Sequence, residues 1–183
     1  AYGEGPRPII SGGDVLRSFC IKVESPSHWR ISEMDCRDGH TGLYLRYVGD
    51  YGNQDVHISD CHFQGFNDWP FFENTPKETF FDTAIWLGGQ LRGADNTDTG
   101  TVLDGLTIER VTIEDCTQGI GTNFYFFSPP APREKVRTIA VRDVTTRGAI
   151  AGSIAFFLTT DIHIEGFRVL EPSNRLPETF WWG

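Results

Sequence analysis

One strand pattern is written five times in this chain of 183 residues: WRISEMDC (29–36), VHISDCHF (56–63), LTIERVTI (106–113), IAVRDVTT (139–146) and IHIEGFRV (162–169). The copies align on Ile31, Ile58, Ile108, Val141 and Ile164. Three positions later stand Met34, Cys61, Val111, Val144 and Phe167. Two further on stand Cys36, Phe63, Ile113, Thr146 and Val169. Apolar and polar residues alternate within each half of a copy, as a strand with one buried face requires. The step of three between the halves predicts a tight corner, so each copy reads as two short strands. Glu33, Asp60, Arg110, Asp143 and Gly166 occupy that corner and are expected to face solvent.

A further strand follows each of the first four copies: GLYL (42–45), AIWL (84–87), GIGT (119–122) and SIAF (153–156). FCIKV (19–23) precedes the first copy. Ile31 to Leu43 is 12 residues, and so is Ile108 to Ile120. Ile21 to Ile31 is 10, and so is Ile154 to Ile164. The smallest complete unit is therefore 12 + 10 = 22 residues. Three short strands per unit at a fixed period, with no helix-period segment, predict an all-β solenoid: a single-stranded parallel β-helix of about five to six coils. An antiparallel sandwich is the alternative, but it does not require the constant spacing. The whole chain, 1–183, reads as one β-helix domain or as part of a longer one.

The residues in excess of 22 per coil fall near 47–55, 64–83, 88–104 and 125–137. All of these flank the third strand of a coil. Loops raised on both sides of one strand face make a groove, and function concentrates in loops held by a rigid scaffold. The groove floor is expected to carry Lys22, Tyr44, Arg46, Trp86 and Asn123. Trp69 stands in the aromatic-rich segment 64–83, where most rings are expected to pack the loop and one or two to meet a ligand. Asp38, Asp82 and Asp115 precede their third strands by five, three and five residues, which places three carboxylates along the groove edge. Separations of about 5 Å for one coil and about 10 Å for two bracket the carboxylate spacings of glycoside hydrolysis. Asp is also a common turn residue for backbone hydrogen bonding alone. His40 and Arg46 stand close by in sequence, suited to proton transfer or to holding a carboxylate.

The formal charge is −9 with no run of Lys or Arg, which argues against nucleic acid or an anionic membrane surface as partner. No apolar run approaches the ~18 residues of a membrane span. Cys20, Cys36, Cys61 and Cys116 form no CxxC pair, so no zinc site is expected. Cys36 and Cys61 fall on apolar positions and read as small buried hydrophobes, with no disulfide imposed by the spacing. GADNTDTG (93–100) resembles a calcium loop only in part: Thr97 and Thr99 stand where acids are required, and Leu106 stands at the twelfth position instead of Glu. No metal or other cofactor is therefore expected.

AYGEGPRPIISG (1–12) resembles the opening segment of secreted right-handed β-helix proteins of the pectin-lyase-like class. V-x-I-x-D-C-x-F, followed later by G-I or G-L, resembles their repeat, and the likeness covers roughly 1–170. NTD (96–98), ED (114–115) and RGAIAGS (147–153) resemble strings of the polygalacturonase branch. Arg147 replaces a His there, the spacing differs and the Arg-Ile-Lys motif of that branch is absent. The resemblance implies a right-handed coil, a secreted, extracellular or periplasmic protein, and action on a polysaccharide or oligosaccharide by hydrolysis, by lyase or epimerase chemistry on uronates, or by binding alone. The expected residues are Asp38, Asp82 and Asp115 for acid/base work and His40, Tyr44, Arg46, Trp69, Trp86 and Asn123 for substrate contact. Nothing in the sequence sets an oligomeric state. The class normally carries further coils, so the chain reads as a possible fragment, with TFWWG (179–183) as a candidate end cover.

Overall fold

The structure, a computed structural model, describes residues 5–13, 18–47, 53–66, 82–89, 103–123, 136–149, 152–156 and 159–171. In chain order the strands are β1 (Ile9–Ser11), β2 (Phe19–Glu24), β3 (Arg30–Ser32), β4 (Asp35–Arg37), β5 (Thr41–Tyr47), β6 (Gln54–Ser59), β7 (His62–Phe66) and β8 (Thr83–Gly89). They continue with β9 (Leu103–Glu109), β10 (Thr112–Cys116), β11 (Gln118–Asn123), β12 (Val136–Arg142), β13 (Thr145–Arg147), β14 (Gly152–Ala155), β15 (Thr159–Glu165) and β16 (Arg168–Leu170). Every third strand joins the same parallel sheet. Sheet A runs β1-β4-β7-β10-β13-β16, sheet B runs β2-β5-β8-β11-β14 and sheet C runs β3-β6-β9-β12-β15. This is a parallel β-helix, and among the described residues it has five full coils and the first strand of a sixth.

The ladders pair the residues that the repeat aligns. Ile31, Ile58, Ile108, Val141 and Ile164 are register partners through sheet C. Cys36, Phe63, Ile113, Thr146 and Val169 are partners through sheet A. Ile21, Leu43, Ile85, Ile120 and Ile154 are partners through sheet B. Each inner column is thus a stack of apolar side chains about 4.8 Å apart. Ile58, Leu43, Ile85, Ile108, Ile113 and Ile120 are all 0% exposed, and burying each such side chain contributes roughly 1.5–3 kcal/mol. Thr146 interrupts its column, yet it is also 0% exposed. Its hydroxyl meets the Ser153 hydroxyl at 2.8 Å, which satisfies it. Cys36, Cys61 and Cys116 are buried and all four thiols are free. At the end of the stack Ile162 and Ile164 on β15 and Val169 on β16 are 41, 46 and 49% exposed, because no further described coil covers them.

The corner between sheets C and A is two residues long in every coil. Its first residue is left-handed each time: Glu33 (φ 57°), Asp60 (54°), Arg110 (51°), Asp143 (49°) and Gly166 (65°). Four of the five are not glycine, so the tight corner overrides the usual preference. Arg110 clamps two corners together through paired bonds of 2.8 and 2.9 Å to Asp60. A second regularity lies at the start of sheet B, where Cys20, Gly42, Ala84, Gly119 and Ser153 share one position. A Cβ on Gly42 would fall 2.6 Å from the Ala84 carbonyl oxygen and 2.6 Å from Phe63 Cδ1. One on Gly119 would fall 2.3 Å from the Ser153 carbonyl oxygen. The coil is narrowest here, and only small residues fit.

Candidate functional site

The outer face of sheet B carries Lys22, Tyr44, Trp86 and Gly121 as register partners in one row, and Glu24, Arg46, Gly88 and Asn123 in the next. The rings stack. Tyr44 and Trp86 have centroids 4.3 Å apart at 18°, and Phe19 lies 5.1 Å from Tyr44 at 20°. Three successive coils therefore supply one aromatic slab. Tyr44 also covers Gly88, where a Cβ would sit 2.6 Å from the ring, so the glycine lets the slab lie flat. Trp86 is only 8% exposed, while Tyr44 and Phe19 are half-buried. Burial pushes the Tyr44 phenol above its ordinary range, so it stays a neutral hydrogen-bonding group.

Beside the slab, Glu24 accepts from Lys22 at 2.8 Å and from Arg46 at 2.8 Å. The Lys22 ammonium and then the Arg46 guanidinium hold its carboxyl below the usual range. These groups are well exposed and screened by solvent, so a bound polar ligand can replace their pairing at small cost. Asn123 takes its place in β11 opposite Gly88; its side chain lies outside the described residues. Trp69 and the segment 93–100 also lie outside them.

The three aspartates fall into two columns rather than one. Asp38 and Asp115 occupy the corner between sheets A and B, two coils apart, with Gly65 between them and Gly148 beyond. Both are left-handed, at φ 55° and 49°. A Cβ on Gly65 would lie 3.0 Å from Asp38 Oδ1, and one on Gly148 would lie 2.8 Å from Asp115 Oδ1. Each carboxylate thus leans over a glycine of the following coil. Two strand spacings put the pair about 10 Å apart. The long segment in the third coil displaces its aspartate: Gly65 takes the corner, and Asp82 arrives later, directly before β8.

Asp82 shares its column with His40, which directly precedes β5. The backbone sets this stack: Thr41 N–H donates to the Ser18 carbonyl, Thr83 N–H to the His40 carbonyl and Gln118 N–H to the Asp82 carbonyl. His40 Nδ1 lies 2.5 Å from Asp82 Oδ1, with the side chains 8% and 2% exposed. This buried contact is the shortest ion pair among the described residues. Asp82 therefore does not reach the open face, and His40 is itself 8% exposed.

The ladder puts Lys22, Tyr44, Arg46 and Trp86 on one strand face, as the alternation in the sequence predicts, and the sequence named His40 and Asp82 without pairing them. The pairing was readable: aligning the third strands sets His40-Thr41 above Asp82-Thr83. Phe19 and Glu24 were missed; Glu24 falls on the alternation that places Lys22 outward, whereas Phe19, three residues from Lys22, falls on the parity of Ile21 and Val23 and carried no such signal. A second polar cluster, on the outer face of sheet A, carried no such signal. There His62 bridges Asp35 at 3.0 Å through Nδ1 and Glu114 at 3.0 Å through Nε2, with Arg37 on Asp35 at 2.9 Å. His62 ties together acids on the coils before and after its own, which makes the cluster a clamp across three coils. Among the described residues no group of three His, Cys, Asp or Glu is arranged to hold a metal ion. No family model, no curated protein and no solved structure matches the chain.

Proposed function

We propose that this β-helix binds an extended saccharide along the outer face of sheet B and hydrolyses it, as a carbohydrate-active protein similar to the pectin-lyase-like class. The observation that carries the reading is the slab of Phe19, Tyr44 and Trp86 beside the exposed Lys22–Glu24–Arg46 group. Flat apolar ring faces next to exchangeable charged donors and acceptors match the two-sided chemistry of a sugar, which has C–H faces and hydroxyl edges. The carboxylates expected to act are those of Asp38 and Asp115. Two strand spacings set their backbones about 10 Å apart, just beyond the roughly 6.5–9.5 Å carboxyl separation of the inverting arrangement, so the side chains must lean toward each other to hold a water between acid and base.

A non-catalytic binding module is the second reading. It is favoured by the left-handed backbone at Asp38 and Asp115, a conformation that Asp adopts for turn geometry alone. The two readings separate in one experiment. The chain is incubated with a panel of neutral and uronate-containing polysaccharides while tryptophan fluorescence, new reducing ends and ultraviolet absorbance of unsaturated products are followed. Reducing ends without unsaturation support hydrolysis, and unsaturated products show lyase chemistry instead. A fluorescence change alone supports the binding module. No response from the folded chain removes the saccharide reading altogether.

A further inference from the structure

We propose that His40, in place of Asp115, is the proton-accepting group of this groove, that Asp82 is its positioning residue and that Asp38 stays the acid. The inference rests on the saccharide reading above.

Asp82 is 2% exposed and is occupied by the His40 ring at 2.5 Å, so it has no path to a substrate. His40 Nδ1 faces that carboxylate and is assigned as the N–H donor, which leaves the Nε2 lone pair as the acceptor. Among the described residues Nε2 meets no hydrogen-bond partner, and the His40 side chain keeps 8% exposure against 2% for Asp82. The dyad also stands on rungs, not on loop tips. His40 N–H donates to Ser18 Oγ at 3.2 Å, the His40 carbonyl accepts from Thr83 at 3.2 Å and the Asp82 carbonyl accepts from Gln118 at 2.9 Å. A base held by ladder bonds and by a buried carboxylate is already oriented before substrate arrives.

Among the described residues the charged groups around the ring are few. Asp82 faces it from the next coil, and Asp38 stands two residues earlier on the same corner. Ser18 and Thr117 take the equivalent places on the first and fourth coils and carry no charge. Tyr44 lies four residues along β5, about 13 Å at strand rise, so a chain lying on the slab extends to the ring. In the hydrolytic step His40 Nε2 takes a proton from water. The water oxygen bonds to the anomeric carbon as that carbon's bond to the departing oxygen breaks. The departing oxygen takes its proton from the carboxylic acid of Asp38, and solvent then carries the proton held by His40 back to Asp38, which restores both groups.

The test uses the full chain and the same panel, with binding read by tryptophan fluorescence and turnover by reducing ends. His40→Gln is expected to keep the fluorescence response and to lose turnover roughly 10²–10⁴-fold, the usual contribution of a general base. Asp82→Asn is expected to lower turnover and to shift its pH profile, with Asp82→Glu restoring part of it. Because a buried pair resists substitution, the wild-type chain is also treated with diethyl pyrocarbonate. Loss of turnover should track carbethoxylation of His40, read by mass spectrometry, and not that of the other four histidines. Full turnover in folded His40→Gln, turnover that survives complete modification of His40, or binding without turnover on every substrate each overturns the proposal. Absence of binding instead overturns the groove reading on which it stands.

Discussion

Gly42→Ala tests whether the narrow start of sheet B is as tight as the structure makes it. The added Cβ would lie 2.6 Å from the Ala84 carbonyl oxygen, 2.6 Å from Phe63 Cδ1 and 3.0 Å from Phe66 Cζ. Neither ring has room to yield, since Phe63 is 1% and Phe66 0% exposed. Overpacking of this kind costs roughly 1–3 kcal/mol. Gly42 is not left-handed, so the alanine also gains about 0.4–1 kcal/mol by restricting the unfolded chain. The expected net loss is about 1–2 kcal/mol, or roughly 2–8 °C in Tm for a domain of this length. Gly152→Ala is the control, because a Cβ there meets nothing within 4 Å; it is expected to be neutral or slightly stabilising. Thermal unfolding followed by circular dichroism compares the two. Equal stability of Gly42→Ala and wild type, or an equal loss in Gly152→Ala, would refute the claim that this position sets the width of the coil.

Phe63→Ala, in the middle of the sheet A column between Cys36 and Ile113, is expected to cost about 3–5 kcal/mol in chemical denaturation. Alkylation at about pH 8 should reach Cys20 first, because a hydrogen bond with Cys36 draws that half-buried thiol below its ordinary range. Cys116, pushed up to about 12 by burial, should react only on unfolding, and peptide mapping reads the order. Glu24 has a folded pKa below its ordinary 4.5, so its contribution is present above that value and is lost as pH falls through the lower one. Glu24→Gln should therefore shrink the fall in stability between about pH 6 and about pH 3, measured as Tm. Tyr44→Ala is expected to abolish the tryptophan response to a bound saccharide, since it removes the middle ring of the slab.

The architecture was legible because each coil repeats the same three columns, and one register places every inward residue. Ile31, Ile58, Ile108, Val141 and Ile164 were aligned by pattern, and the ladders pair those same five. The corner residues were legible as corners, but their left-handed backbone was not. Glu33 and Arg110 carry no sign of it, and the strain is imposed by the two-residue link between sheets. The aspartates show the limit of counting. Five residues before the strand is a corner at Asp38 and Asp115, whereas three before it at Asp82 is the rung beside His40. Only the spatial stack tells an exposed turn carboxylate from a buried partner. The small column from Cys20 to Ser153 was visible in the alignment, but its meaning depends on the closeness of Phe63 and Phe66, which belong to another sheet.

The contrast between the two kinds of corner divides the molecule into a frozen side and a variable side. One residue inserted between sheets C and A would turn every downstream side chain inside out, so the link is two residues in all five coils. Additions beside sheet B lengthen the chain outside the ladder and leave every rung where it was. Length variation over evolutionary time is thus channelled to the borders of one face. A library of random single-residue insertions should show the same asymmetry, with survivors crowded beside the aromatic slab and none at Glu33, Asp60, Arg110 or Asp143.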